Sequence, residues 1–324
     1  MEDKIYNWGI LGLGKIARKF AADLAAVPNA KLFGVASRSS EKAEEFAAEF
    51  NAEKSFGSYE ELVKNDEVDV VYIATPHVFH HDHTLLCLRH RKAVLCEKPF
   101  AMNKIQVMEM IKVAREQNVF LMEALWTYFL PHYKKVMQLI DSGKYGNITA
   151  LEADFGFESP YQPEKRLLNK KLGGGSLLDI GIYPVFAALS LLGRPSEIIA
   201  KAEMGSTGVD ESCDVQLKYP NHVTAFLKSD ITKKTPTTAT IFLEKGKIII
   251  EGRFHEPSSF TVITDENKEK FEFEVNTYGY NFEAIHVQKM LEQQRTESTV
   301  MSFQKSLELI EILDRIRKKI GLEY

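Results

Sequence analysis

Cysteine is scarce: Cys87, Cys96 and Cys213 are the only three in 324 residues. They are odd in number and lack any short paired spacing, so neither a disulfide framework nor a zinc site is expected. Such thiols suit a reducing compartment, and the cytoplasm is the expected location. No apolar run approaches the roughly 20 residues that a membrane-spanning helix needs. The acidic opening, Met1-Glu2-Asp3-Lys4, lacks the basic-then-apolar layout of a secretory signal. Basic residues are not clustered either. With 41 Lys and Arg against 45 Asp and Glu, the net charge is −4, and no basic stripe is present for a phosphate backbone. Nucleic acid is thereby excluded as an expected partner, while an anionic metabolite is not. At 44% hydrophobic and 27% charged, the chain is expected to fold throughout. Its length exceeds what one core usually supports, so two domains are expected.

From Trp8 to about Ala124, short β-branched or apolar runs alternate with amphipathic stretches, the pattern of βαβ units around a parallel sheet. Strands are expected at Trp8 to Leu11, Leu32 to Ser37, Val68 to Ala74, Ala93 to Cys96 and Val119 to Glu123. Between the first two, Ile16, Phe20 and Leu24 recur every fourth residue and give one apolar helical face. After Trp126 the rhythm changes. A helix near His132 to Asp141 leads to a strand near Thr149 to Phe157, a Gly-rich turn and another helix. Runs at Ile198 to Glu203, Asp214 to Tyr219, His222 to Ser229, Thr237 to Leu243, Lys247 to Glu251 and Phe271 to Val275 read as successive strands of an antiparallel or mixed sheet. Helices at Asn281 to Gln294 and Ser302 to Lys319 follow. The expected division is a dinucleotide-binding domain over 1–124 and a substrate-binding and dimerisation α/β domain over 125–324.

Gly9-Ile-Leu-Gly12-Leu-Gly14-Lys15-Ile16-Ala17 carries the fingerprint G-x-G-x-x-A directly after a strand and at the start of a helix. Gly12 permits a tight turn, Gly14 lets the backbone approach a pyrophosphate, and Ala17 keeps helix and strand close. The helix N-terminus adds free N–H donors and partial positive charge. A domain preferring NAD usually places Asp or Glu about twenty residues further on. Here that place reads Ser37-Arg38-Ser39-Ser40, with Lys42 near by to add charge. A guanidinium and hydroxyls suit a 2′-phosphate, so NADP is expected over NAD. The alternative is that Ser39 or Ser40 caps the next helix and Arg38 is simply solvated.

Thr75-Pro76-His77-Val-Phe-His80-His81-Asp82-His83 follows the strand near residue 70, at a carboxyl end where open α/β sheets bind ligands. Four histidines raise the question of a metal, but Asp82 is the only nearby acid, and no metal is expected. Thr75, Pro76, His77 and His80 are expected beside the cofactor instead. The next strand ends in Cys96-Glu97-Lys98-Pro99, again at a carboxyl edge. An ammonium there could bind a substrate oxygen and stabilise charge that develops during hydride transfer. A solvated lysine at a strand end is the alternative.

Gly173-Gly174-Gly175-Ser176-Leu-Leu-Asp179-Ile-Gly-Ile-Tyr183-Pro184 combines a flexible turn, a candidate cap at Ser176 and two polar groups spaced i, i+4. Pro184 would cost about 3 kcal/mol within a helix, so a kink or a new helix start is expected there. A tyrosine beside a lysine is a useful proton donor to a carbonyl oxygen, because the cation favours the phenolate.

Taken together, these motifs resemble the glucose–fructose oxidoreductase/inositol dehydrogenase (Gfo/Idh/MocA) family, and most of all its branch of dimeric dihydrodiol dehydrogenases and NADP-dependent xylose dehydrogenases. The similarity covers nearly the whole chain, including Ala93-Val-Leu-Cys-Glu-Lys-Pro99, Phe120-Leu-Met-Glu-Ala-Leu-Trp126 and Tyr280-x-Phe-Glu-Ala-x-His286. The resemblance implies a Rossmann domain followed by an α+β domain with an open, mostly antiparallel sheet that commonly serves as a dimer surface. It also implies catalytic roles for Lys98, Tyr183 and Asp179. It implies a cofactor site drawn from Gly12, Gly14, Lys15, Ile16, Ser37, Arg38, Lys42, Thr75, Pro76, His77, His80, Glu97 and Lys98. Trp126, Phe155, Asp179, Tyr161 and Tyr280 are implied in the substrate pocket. One departure is Tyr128, where that branch tends to show Arg. The expected activity is NADP-dependent hydride transfer at a carbinol or carbonyl carbon of a sugar, diol or dicarbonyl. The alternative is an inactive dinucleotide-sensing regulator of the same fold.

Overall fold

The computed structural model describes residues 4–324, and the acidic opening Met1-Glu2-Asp3 lies outside them. The chain forms two compact units. One takes the chain as far as Trp126 together with Val275–Leu307, and the other takes Thr127–Glu274 with Glu308–Tyr324. The expected single boundary after residue 124 therefore needs correction, because the chain returns to the first unit at Val275. Asp23 explains part of the return. Buried at the end of the first helix, its carboxylate accepts the backbone N–H groups of Tyr278 and Tyr280 at 2.9 and 2.8 Å. A buried carboxylate needs such donors, and a local pattern does not reveal which distant segment supplies them.

The first unit runs β1 (Tyr6–Leu11), α1 (Lys15–Leu24), β2 (Ala30–Ala36), α2 (Ser40–Phe50), β3 (Lys54–Phe56), α3 (Tyr59–Lys64), β4 (Val70–Ile73), α4 (His80–Arg89), β5 (Ala93–Glu97), α5 (Lys104–Gln117) and β6 (Leu121–Ala124). The six strands are parallel and lie in the order β3-β2-β1-β4-β5-β6. Every residue of β4 and β5 is buried, which is why both read as continuous apolar runs. Strand β3, only Lys-Ser-Phe, was not anticipated, since three residues are too few to show a period. Helix α1 buries Ala17, Phe20, Ala21 and Leu24, and the Phe20 ring stacks on Tyr72 of β4 at 3.7 Å. Because all six strands point the same way, the loops after β1, β2, β4 and β5 share one edge, where such sheets bind ligands.

In the second unit come α6 (Pro131–Asp141), β7 (Ile148–Gly156), a π-turn at Leu177–Gly181, α7 (Ile182–Leu192), β8 (Glu197–Met204), β9 (Asp210–Lys218), β10 (Thr224–Asp230), β11 (Ala239–Leu243), β12 (Gly246–Ile250), β13 (Phe260–Ile263) and β14 (Lys268–Phe271). Helix α8 (Asn281–Glu292) belongs to the returning segment, and α9 (Phe303–Ile320) follows it. The sheet order is β14-β13-β12-β11-β7-β10-β9-β8, antiparallel throughout except where β7 and β10 run parallel. The mostly antiparallel sheet expected from the sequence is present. Two local expectations change: Phe260–Ile263 is an additional strand, and the strand expected at Phe271 to Val275 lies earlier, at Lys268–Phe271. Residues 272–275 alternate well, yet the ladder with β13 ends at Phe271. Alternation without a partner makes no strand.

A further correction concerns hydropathy. The stretch Lys170–Leu192 contains an 18-residue window of mean hydropathy 1.7, long and apolar enough by composition to cross a membrane, but 78% of that window is buried inside the protein. It is core. Pro184 is the third residue of α7 and follows directly on the π-turn, so its missing N–H falls where the helix passes from π to α geometry. The discontinuity expected at Pro184 is the π-turn that precedes it.

Candidate active site

At the end of β1 the backbone turns through Gly12, whose φ is +86°. A Cβ on Gly12 would stand 2.8 Å from the Thr75 methyl and 2.9 Å from the Thr75 backbone nitrogen. The glycine is therefore demanded by both conformation and space. Gly14, the N-cap of α1, offers the converse: a Cβ there would meet nothing within 4 Å. No side chain caps α1, and its first turn, which includes Lys15 and Ile16, carries no acid. The start of α1 thus has neither a side-chain cap nor bulk at Gly14, as an anion-binding turn requires. After β2, the Ser37 hydroxyl accepts the Ser39 N–H at 3.3 Å, and Ser39 caps α2 by accepting the Lys42 N–H at 3.4 Å. Arg38 and Lys42 are exposed. The capping alternative is thus met by Ser39, and it leaves Arg38 available.

The histidines divide by partner. His80 is fully buried, with its ring nitrogens each 2.8 Å from a carbonyl oxygen, one of Thr75 and one of Pro99. Burial pushes its pKa down to about 4 although both carbonyls favour the charged ring. It fastens the loop after β4 to the turn after β5. Thr75 and His77 are buried and Pro76 lies between them. His81 meets Asp82 at 2.7 Å and Glu109 at 3.0 Å, whereas His83 meets the Thr75 hydroxyl at 3.0 Å. Among the described residues, no group of three or more His, Cys, Asp or Glu could hold a metal ion.

Lys98 stands at the carboxyl end of β5, joined to Pro99 by a cis peptide bond. Beneath it, Glu97 accepts the Lys98 N–H at 3.2 Å and the hydroxyl hydrogen of Tyr72. Further buried acids lie in this unit. Glu123 accepts the Phe100 N–H at 3.1 Å, and burial pushes its pKa up to about 7. Glu283 of α8 is fully buried, and neither carboxylate oxygen has a hydrogen-bond partner among the described residues. Burial, followed by the Glu97 and Asp23 charges, raises it well above the carboxylate range. Trp126 and Tyr280, both expected in a substrate pocket, stack at 4.2 Å with nearly parallel rings and are each 3% exposed.

The second unit brings together Phe155, Tyr183 and His255. Phe155 projects from the inner face of β7 with Leu151 and Ala153, while Tyr183 is in the first turn of α7. Their ring centroids are 5.9 Å apart, and His255 lies 4.2 Å from Phe155 and 4.5 Å from Tyr183. Thr127 donates its hydroxyl to the His255 carbonyl at 2.9 Å and so fixes the loop that carries it. Asp179, in the π-turn, accepts Arg166 at 2.8 Å. Sequence reasoning missed both Arg166 and His255, which lie in loops with no periodic or motif signal. Ser176 is not a cap: its hydroxyl donates to Asp210 at 2.7 Å, and Asp210 accepts the Leu177 N–H at 2.7 Å in the capping role. Tyr161 is 62% exposed and bonds Ser206, apart from this aromatic group. Tyr128 packs edge-on against Phe186 and Tyr133.

A dinucleotide-binding edge followed by a mixed-sheet unit defines a class, and comparison agrees. Residues 6–125 match the oxidoreductase family described by its NAD-binding Rossmann fold, and residues 133–249 match the GFO/IDH/MocA C-terminal domain. The chain belongs to this family and is an NAD(P)-dependent dehydrogenase. It is 39% identical to trans-1,2-dihydrobenzene-1,2-diol dehydrogenase of Xenopus tropicalis, with 98% of this chain and 99% of that protein aligned. The Homo sapiens enzyme of the same name is 35% identical, with 98% of each covered. Among solved structures it is similar to the 3-ketoreductase KijD10 from Actinomadura kijaniata in complex with NADP and TDP-benzene. That match has a TM-score of 0.88 and 26% identity, over 97% of this chain and 98% of the other.

The raised Glu123 gives a test. Its protonated form stabilises the fold fully below the unfolded value near 4.5, and this contribution is lost as the pH rises to about 7. Relative to the parent, Glu123→Gln should gain stability across that window, on the order of 3 kcal/mol at most. Denaturant titrations at several pH values check this, and a difference independent of pH would contradict it.

Proposed function

We propose that this chain transfers hydride between NADP(H) and a carbinol or carbonyl carbon of a sugar or vicinal diol. The observation that carries the cofactor reading is Arg38. It stands where an NAD-binding domain usually has an acid, and it makes no hydrogen bond or ion pair among the described residues. The open N-terminus of α1 fits a pyrophosphate, with Gly12, Gly14, Lys15 and Ile16 along it. Ser37 and Lys42 flank Arg38, and Thr75, Pro76, His77, Glu97 and Lys98 line the same edge of the sheet. The vicinal diol follows from the names of the relatives.

When bound, the nicotinamide supplies or takes up the hydride. Protons and orientation fall to the protein. Tyr183 gives its proton to the carbonyl oxygen in reduction and takes it back in oxidation. The Lys98 ammonium favours the phenolate and binds the same oxygen. Asp179, held by Arg166, orients substrate hydroxyls, and Trp126, Phe155 and Tyr280 supply apolar surface. No observation favours an inactive nucleotide sensor. A second copy of the chain is the proposed partner, docking on the outer face of the second sheet. There Phe226 is 50% exposed within a groove of about 540 Å³ flanked by Glu152, Lys201 and Lys228.

Tyr183→Phe and Lys98→Met should each lower kcat by about 100-fold or more with NADP binding retained, and near-parental turnover in either would overturn the mechanism. Arg38→Ala should raise the KM for NADP roughly tenfold and spare that for NAD, and an unchanged KM for NADP would remove the cofactor assignment. Light scattering should give the parent a dimer mass and Phe226→Glu a monomer mass; a monomeric parent would end the partner reading.

A further inference from the structure

A cavity of about 430 Å³ opens beside the loops that follow β2 and β4, walled by Arg38, Tyr59, Thr75, Phe79 and His83. Two of its features are unlike an ordinary surface cleft. First, its walls are aromatic on more than one side. The His83 ring lies near-parallel to Phe79 at 5.8 Å and meets Tyr59 edge-on at 4.7 Å, a setting that suits the flat face of a purine. Second, it carries two groups able to be cationic. Thr75 occupies Nδ1 of His83 at 3.0 Å, which leaves Nε2 for another partner. Arg38 faces the same space.

The groups packed around His83 are known. Burial disfavours its charged form most, and Arg38 opposes it by like-charge repulsion, whereas Asp82 on the same helix and Glu60 of α3 favour it. Tyr59 also feels Arg38, and His80, one turn earlier, feels His83. An anion set between Arg38 and His83 replaces their repulsion with attraction to a common charge.

Building on the NADP reading, we propose that this cavity takes the adenosine 2′-phosphate end of the cofactor, with His83 as the second cationic group on that phosphate. His83 is then a specificity-determining residue, and discrimination between phosphorylated and unphosphorylated ribose depends on pH. The charged ring binds the phosphate. Its contribution is present at low pH and fades as the pH rises and the ring loses its proton.

Calorimetric titration of the full-length protein with 2′,5′-ADP and with 5′-AMP, which lacks the 2′-phosphate, isolates this contribution. His83→Phe preserves an aromatic wall; it should weaken 2′,5′-ADP roughly tenfold at about pH 6, much less at about pH 8, and leave 5′-AMP unaffected. His83→Lys, with a permanent charge, should hold 2′,5′-ADP affinity across the range. Equal loss for both ligands at every pH, or no loss, overturns the role of His83. Arg38→Ala separates the two levels of the argument. If it abolishes preference for 2′,5′-ADP while His83→Phe spares it, only the His83 proposal fails; if neither variant alters the preference, the NADP reading fails as well.

Discussion

Tyr72 joins two functions of the parallel sheet in one side chain. Its ring stacks on Phe20 and thereby pins α1, the helix whose N-terminus faces the open glycine turn, while its hydroxyl donates to Glu97, the neighbour of Lys98. Strand β4 sits between β1 and β5, so a residue at its centre reaches elements on both sides. The aromatic contact extends outward from Phe20 to Trp8 and Tyr280, and Tyr280 stacks on Trp126. Phosphate turn, lysine turn and returning segment are thus held by one packed aromatic chain.

That rigidity coexists with an unusual load of buried ionisable groups. Asp23, Glu97, Glu123 and Glu283 are all buried within the first unit. Desolvation alone would make four carboxylates prohibitive, and the structure meets the cost in different ways. Asp23 collects backbone donors, Glu97 takes a phenol and an amide, and Glu123 and Glu283 are driven toward the neutral form. Buried His80 is likewise neutral near physiological pH, and in the second unit so is His132, whose pKa burial lowers to about 4. Acids and imidazoles therefore oppose one another in the pH dependence of stability. The imidazoles are protonated on unfolding in mild acid, whereas the acids release protons on unfolding nearer neutrality.

Much of the architecture was legible because its determinants are local. Strands buried on both faces announce themselves as apolar runs, and G-x-G-x-x-A reports a turn whose geometry depends on a few adjacent residues. Where determinants were distant, legibility failed. Glu-Phe-Glu-Val after Phe271 alternates as a strand should but has no neighbour to pair with, and β3 is recognisable only through its pairing with β2. At the candidate site, Lys98, Asp179 and Tyr183 were visible through motifs, whereas Arg166 and His255 were not. A loop residue acquires its chemical role from whatever it is folded against, and nothing adjacent in sequence records that.

The sequence by itself determined the alternation of buried strands and helices in the first unit apart from β3, the glycine turn, the basic residue after β2 and the lysine at the end of β5, because each follows from backbone conformation or periodicity over a few residues. Only the tertiary structure decided that Val275–Leu307 returns to the first unit, that Asp179 is held by Arg166, and that Ser176 serves Asp210 rather than capping a helix. These outcomes depend on which buried polar group finds which partner. Such pairings are settled by desolvation and hydrogen bonding across long separations along the chain, to which local propensity is blind.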